Sequence, residues 1–284
     1  MLLTVDRATF DLRRQAAVEE WLLRNRPDAI FIAAATVGGI HANSTRPAEF
    51  LYDNLAIASN IIHGAANAKV PKLMFLGAAC LYPRLAPQPM SEESLLDGPP
   101  EPTNEWYTVA KIAGVKLCQS YRRQYGCDFI SAVPANLYGP EDRFDPQAGH
   151  VVPGLIMRAD EARRSHTSEL SIWGTGKALR EFMHVDDCAD ALVFLMKRYS
   201  DENIINAGTG QEVSIANLAQ RVCNTVGYSG RLTFDSTKPD GMPRKLLNSS
   251  RISSLGWHPH ISLDEGLRQT YQWYIGKEQL RAEQ

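Results

Sequence analysis

The sequence predicts an α/β fold built on a doubly wound parallel sheet, followed by a smaller C-terminal domain. Short apolar runs of strand length recur along the first half of the chain, and amphipathic stretches of helix length separate them. The run 29–35 is unbroken by polar residues, the pattern of a strand buried on both faces. Strands that alternate with helices pair in parallel, because each crossover returns the chain to the same end of the sheet.

Residues 15–24 space their apolar side chains as an amphipathic helix does, and Pro27-Asp28 ends that helix before the run 29–35. A helix over 55–68 and a strand over 72–77 repeat the unit. After a Pro-rich surface loop, 83–102, come a long helix over 104–125 and a strand over 129–134. Beyond Gly139-Pro140 the elements shorten and mix, with strands near 170–173 and 204–207 and helices near 185–197 and 214–225. A helix over 262–274 closes the chain. The expected division is a sheet domain over 1–150 and a smaller domain over 151–284, with some interleaving back to the sheet. His184-Val185-Asp186-Asp187 opens a helix, which makes Asp186 or Asp187 a cap or first-turn carboxylate rather than a metal ligand.

Composition excludes several classes. A chain of 284 residues can bury a large core, and its 30 basic and 32 acidic residues leave a net charge of −2 with no Lys/Arg-rich block, so nucleic acid is not an expected partner. No apolar stretch approaches the ~20 residues of a bilayer span, and Met1 starts no charged-then-apolar signal. The expected setting is cytoplasmic, away from any membrane. Cys80, Cys118, Cys127, Cys188 and Cys223 are odd in number and lack C-x-x-C spacing, which predicts free thiols and no metal site.

Tyr107 and Lys111 stand four apart on the helix over 104–125, so their side chains share one face. A phenol with an unperturbed pKa of ~10 is a poor acid or base near neutrality, and a neighbouring ammonium lowers that value by stabilising the phenolate. Any helix of this composition can also carry such a pair as solvated residues. The neighbouring strands favour the chemical reading, because the pair faces their C-terminal ends, where open α/β sheets bind ligands.

A wider set of residues carries a resemblance. Phe75-Leu76-Gly77, Cys80-Leu81-Tyr82-Pro83, Glu101-Pro102-Thr103-Asn104, Tyr107, Lys111-Ile112-Ala113-Gly114 and Asn136-Leu137-Tyr138-Gly139-Pro140 together resemble the extended short-chain dehydrogenases. Val37-Gly38-Gly39-Ile40, Arg180-Glu181-Phe182, His184-Val185-Asp186-Asp187, Lys238-Pro239-Asp240-Gly241 and Arg244-Lys245-Leu246-Leu247 extend the likeness to the GDP-L-fucose synthase family over nearly the whole chain. The resemblance implies a Rossmann-like fold, a homodimer, and NADPH-dependent C3/C5 epimerisation and C4 reduction of GDP-4-keto-6-deoxy-D-mannose. It makes Tyr107 the acid that protonates the C4 oxygen, Lys111 its tuner and ribose ligand, and Cys80 with His150 the acid/base pair. Protons on C3 and C5 flank a ketone, so a base can remove them through an enolate and an acid can return them on the other face. Taken singly, Cys80 also reads as a small packed hydrophobe and His150 as a loop histidine.

By the same resemblance NADP(H) lies against Asp11, Leu12, Leu76, Gly77, Ala78, Ala79, Lys111, Pro134, Ala135, Asn136, Leu137 and His150. Arg158, Trp173, Arg180, Asp240 and Lys245 fall at positions facing the GDP-sugar, where guanidinium groups suit a diphosphate and an aromatic face suits a ring. Each has a bland alternative, a solvated surface charge for an arginine and core packing for Trp173.

Two departures from the family pattern follow. No Gly-x-x-Gly-x-x-Gly precedes Ala29, and Leu2–Val5 aligns with the end of the family's second strand, so the sheet is expected to lack its first strand and helix, leaving the dinucleotide-binding domain truncated. Five or six doubly buried side chains at ~1.5–3 kcal/mol each make that a loss on the order of 10 kcal/mol. A start placed too late, a decayed gene product and a segment supplied from elsewhere are all open. Beside the chemistry, Ala78-Ala79-Cys80 stands where the family has Ser-Ser-Cys, which removes a hydroxyl donor to the substrate carbonyl, and Thr36 stands for a usual lysine. Thr108 is expected to face elsewhere on its helix. An impaired enzyme is expected, with a related nucleotide-sugar epimerase or reductase, or an inert sugar-nucleotide binder, as alternatives.

Overall fold

The computed structural model describes residues 1–145, 149–238 and 240–282, so Pro239 of the Lys238-Pro239-Asp240-Gly241 motif lies outside the described residues. The chain forms two compact units. The first comprises Met1–Ala86, Glu92–Pro134 and Leu192–Asn206, and the second Pro87–Ser91, Ala135–Ala191 and Ala207–Gln284. The chain thus passes into the second unit at Ala135 and re-enters the first at Leu192.

In the first unit α1 (Gln15–Asn25) turns Val18 and Leu22, four apart, into the core. Strand β1 (Ala29–Ile32) leads to a short α2 (Ile40–Thr45) and to α3 (Pro47–Asn67), which opens on a proline where the missing N–H costs nothing. Strand β2 (Lys72–Leu76) runs into a 3₁₀ turn over Ala79–Leu81. Helix α4 (Glu105–Tyr125) stops at Gly126, whose φ of 69° closes the helix in the left-handed region, and β3 (Asp128–Pro134) follows.

The second unit contributes β4 (Asn136–Tyr138), α5 (Val151–Arg164), β5 (Glu169–Trp173) and β6 (Leu179–His184). Helix α6 (Val185–Arg198) carries the chain back to β7 (Ile205–Ala207). After β8 (Glu212–Ser214) come α7 (Ile215–Val226), β9 (Arg231–Asp235), β10 (Arg244–Lys245), α8 (Ser250–Ser254) and α9 (Leu263–Ala282). Its strands form the order β10-β6-β4, with β8 antiparallel on β6, and a separate parallel pair β5-β9. Tyr138, Leu155, Ile156, Leu218, Val222 and Leu267 lie in its core. Asp186 and Asp187 lie in the first turn of α6, as expected, and the Asp187 carboxylate accepts from the backbone N–H groups of His260 and Ile261.

The first unit's sheet has the order β1-β2-β3-β7. Parallel register places Ile30, Leu73 and Phe129 in one row and Ile32, Phe75 and Ser131 in another. Strands β2 and β3 are buried along both faces, with Leu73, Met74, Phe129 and Ile130 almost wholly enclosed. Strand β1 corrects the sequence reading twice. It stops at Ile32, and only Ile32 is buried, while Ala29 is exposed and Phe31 is 44% exposed. The physical reason is its place at the edge: among the described residues β1 pairs on one side only, with β2. Residues 2–5, aligned with a strand end, lie in no strand, and Leu2 is exposed.

Helix α4 rides over β2 at Gly114, where a Cβ would fall 2.3 Å from Cζ of the Phe75 ring. Alanine in place of glycine normally favours a helix interior by ~0.5–1 kcal/mol, but overpacking against a buried ring costs ~1–3 kcal/mol. Gly114→Ala is therefore expected to lower the melting temperature by a few degrees in differential scanning calorimetry. An unchanged or higher midpoint would mean that the Phe75 ring yields freely.

Candidate active site

Helix α4 presents Tyr107 and Lys111 at the C-terminal ends of β2 and β3, the ligand-binding edge of an open sheet. Lys111 is only 4% exposed, and its Nζ donates to the Leu76 carbonyl at 2.8 Å. The ammonium lies 4.9 Å from the Phe75 ring centroid and 5.7 Å from that of Tyr107. Burial disfavours the charged amine and brings its pKa down to about 8, with Cys80 acting in the opposite direction.

Tyr107 packs edge-on against Phe50, with ring centroids 6.4 Å apart. Burial, reinforced by the Cys80 thiol, pushes its phenol up from the usual value. That is a correction to the expected direction: burial disfavours the phenolate, and the neighbouring amine is itself buried and committed to a backbone carbonyl. Tyr107 is therefore a held proton, suited to donate.

Cys80 sits inside the 3₁₀ turn that β2 runs into, buried, with its carbonyl accepting from Thr108 Oγ1 at 3.3 Å. Thr108 thus faces the Cys80 turn and is itself fully buried, another correction, since the helix was expected to turn it elsewhere. Gly77 anchors the start of the turn by donating to the Ala132 carbonyl at 2.8 Å. A Cβ at Gly77 would meet Leu81 Cδ1 at 2.8 Å and Val133 Cγ2 at 3.2 Å, so a larger residue there would displace the Leu81 side chain. Ala78 is extended and half-buried beside it, and Ala79 is buried. At the other end of this unit, Asp11 Oδ1 and Oδ2 are both gripped by Arg13, which holds that carboxyl down to about 2. Arg13 also reaches the buried Asp53, which accepts from Thr36 Oγ1 as well, and the Leu12 carbonyl accepts from Asn60.

In the second unit His150 is the N-cap residue of α5, half-exposed, with Nδ1 3.6 Å from Asp142 Oδ1. That carboxylate raises the imidazole pKa against an opposing burial effect. Asp142 was not singled out from the sequence; it lies eight residues upstream in a loop, where no periodicity marks it. Arg158, two turns along α5, donates to the Ser171 carbonyl on β5, and Trp173 ends β5 at 66% exposed with Lys238 Nζ 5.6 Å from its ring centroid. Such exposure excludes the core alternative for Trp173. Arg180 is the register partner of Lys245 and donates to the Asp240 carbonyl, while the Asp240 carboxylate holds Thr175. The five positions expected to face the GDP-sugar lie on or beside α5, β5, β6 and β10. Asn136 and Leu137 are half-buried on β4, where the Asn136 amide donates to the Glu181 carbonyl, and Pro134 and Ala135 are buried just before them.

A profile described as the NAD dependent epimerase/dehydratase family matches residues 3–208. The chain belongs to that family. Within the family it is 54% identical over 274 residues to the GDP-L-fucose synthase of Sinorhizobium fredii, covering 96% of this chain and 87% of that protein. It is 49% identical to the GDP-L-fucose synthase of Escherichia coli, covering 95% and 87% respectively. A GDP-L-fucose synthetase from Naegleria fowleri, solved bound to NADP, superposes with a TM-score of 0.90 at 27% identity over 98% of this chain and 86% of that one.

For this epimerase-family chain the pair's protonation sets a pH dependence. The Lys111 ammonium is lost as pH rises through about 8, so hydride-transfer turnover is expected to fall along an alkaline limb with an apparent pKa near 8. Stopped-flow measurement of single-turnover NADPH oxidation between pH 6 and pH 11 reads it (roughly the span that brackets both amine values). A limb near the ordinary lysine value would show that a different group titrates.

Proposed function

We propose that the chain converts GDP-4-keto-6-deoxy-D-mannose to GDP-L-fucose by C3/C5 epimerisation and NADPH-dependent C4 reduction. The observation that carries this reading is the half-buried Tyr107 beside the buried Lys111 at the sheet's carboxyl edge, with Cys80 in the adjoining turn, in a chain so similar to GDP-L-fucose synthases.

The residues fit the nicotinamide end of NADP(H). Gly77 admits close backbone packing, and Lys111 offers an ammonium beside Tyr107 for the ribose hydroxyls. Asp11 and Leu12 would meet the adenine, and Leu76, Ala78, Ala79, Pro134, Ala135, Asn136, Leu137 and His150 complete the contacts in this reading. The bound cofactor supplies the hydride. Cys80 and His150 exchange the C3 and C5 protons, one group accepting a proton from carbon while the other delivers one to the opposite face of the enolate. The raised imidazole pKa keeps more of His150 protonated near neutrality, which suits delivery. Tyr107 then gives its proton to the C4 oxygen as charge develops there. In the second unit Arg158, Arg180 and Lys245 would meet the diphosphate, and Trp173 and Asp240 the sugar and nucleoside. The first unit with its sheet is the dinucleotide-binding domain in this reading, and the second the nucleotide-sugar domain.

Ala78 removes one hydroxyl donor from this arrangement, and such a donor is typically worth ~10²–10³ in turnover. Restoring it by Ala78→Ser is expected to raise the rate of NADPH oxidation with GDP-4-keto-6-deoxy-D-mannose by about tenfold or more. No NADPH consumption in either protein would end the assignment.

The cytoplasm is the proposed compartment, supported by five free cysteines. A homodimer is also proposed, through the outer faces of α3 and α4. These expose Tyr52 on α3 and Trp106 and Val109 on α4, large apolar side chains that a subunit contact would cover. Sedimentation equilibrium is expected to give twice the chain mass, and Tyr52→Glu with Trp106→Glu to halve it; a monomeric wild type would remove the dimer.

A further inference from the structure

The turn that carries Cys80 is held from three sides. Gly77 ties its start to β3, and Thr108 ties its middle to α4. The third hold comes just after the turn and has no part in the proton transfers described above. Tyr82 is 1% exposed, and its hydroxyl donates to Asn206 Oδ1 at 2.5 Å across 124 positions of sequence. Asn206 lies on β7 with no exposed surface, and its backbone N–H donates to Glu92 Oε1 at 3.0 Å. Both ends of the segment between Tyr82 and Glu92 thus close on one asparagine.

We propose that Tyr82, through its hydroxyl bond to Asn206, is a positioning residue that aims the Cys80 thiol; this rests on the reading that Cys80 moves the C3 and C5 protons. A ring that merely fills a core needs no hydroxyl, and a buried hydroxyl is costly unless bonded. The bond does more than satisfy two polar groups. Tyr82 is extended, with φ −79° and ψ 150°, and follows a turn closed by Leu81 N–H donating to the Ala78 carbonyl at 2.9 Å. Two residues of chain span only ~7 Å, so fixing the ring of Tyr82 limits how far the turn can rotate the thiol. Tyr107 has its own mooring, since its helix is tied down through Lys111 and the Leu76 carbonyl. Loosening Tyr82 therefore affects carbon-proton exchange before it affects protonation of the C4 oxygen.

The test compares two reactions of the same protein. Solvent-deuterium incorporation at C3 and C5 of GDP-4-keto-6-deoxy-D-mannose, followed by NMR without NADPH, reads the Cys80 step, and single-turnover NADPH oxidation started from the 4-keto sugar nucleotide already epimerised at C3 and C5 reads hydride transfer by itself. Tyr82→Phe is expected to slow exchange about tenfold, as misplacement on the order of an ångström does. The KM for the sugar nucleotide should stay within about twofold and hydride transfer should fall less than exchange. Asn206→Ala should reproduce the loss, and the double variant should be no slower than Asn206→Ala alone, because both remove one bond. Peptide-resolved alkylation gives a readout independent of turnover: in Tyr82→Phe the rate at Cys80 should change several-fold while Cys118, Cys127, Cys188 and Cys223 keep theirs. Additive effects in the double variant, equal losses in exchange and hydride transfer, or unchanged exchange and alkylation each overturn the proposal. Cys80→Ser separates the two levels: exchange that survives this change removes the role of Cys80 itself, whereas exchange lost in Cys80→Ser and retained in Tyr82→Phe removes only the positioning role.

Discussion

The burial of one lysine ammonium constrains the whole first unit. The nearly inaccessible charge of Lys111 is tolerated because it donates to the Leu76 carbonyl just where β2 ends and lies over the Phe75 ring. That contact fixes the height of α4 over the sheet. Gly114, one turn further on, must then be glycine, because the Phe75 ring already occupies the space a side chain would need. Tyr107, one turn back, is carried to the sheet edge by the same docking, and Thr108 beside it reaches the Cys80 carbonyl. One backbone carbonyl thus sets the registry of the helix that bears the phenol against the turn that bears the thiol.

Much of this was legible in the sequence because its cause is local. A Tyr and a Lys four apart on a helix share a face whatever surrounds them, and α4 follows its expected span to within a residue. The alternation of helix and strand gave the parallel sheet for the same reason. What sequence could not show depends on distant partners. No helix was expected over 151–164; in the fold Pro153 stands in the first turn of α5, where its missing N–H leaves no bond unmade. Strands β4, β8 and β10 are two or three residues long and exist only because β6 is there to pair with them. Strand β1 looks like a doubly buried strand by composition, yet burial is decided by neighbours, and its outer row, Ala29 and Phe31, meets solvent.

The site divides along the same line. Trp173 was open between core and ligand-facing readings, and exposure closed the question against the core. The Arg13 grip on Asp11 and Asp53 joins a loop to α3 across forty residues, so no spacing in the sequence could announce it. Thr108 shows how a correct helix can still mislead: its place beside Tyr107 suggested a different face, but the 3₁₀ turn bends the Cys80 carbonyl back to meet it.

The two members of the pair drift in opposite senses for one reason. Burial penalises whichever form is charged, so it lifts the phenol and lowers the amine. The Lys111 ammonium lies 5.7 Å from the Tyr107 ring centroid, yet burial decides the direction in which the phenol moves. For a group that must abstract a proton this would be a handicap. For one that must deliver a proton it is not, because the alkoxide left at C4 by an arriving hydride is a stronger base than any phenolate. A tyrosine kept protonated by its surroundings is charged for the reductive direction and poorly placed for the reverse. In the proposed reading the buried lysine, its pKa brought down to about 8 by burial, would make proton delivery at C4 follow pH, with the bond to Leu76 docking the helix.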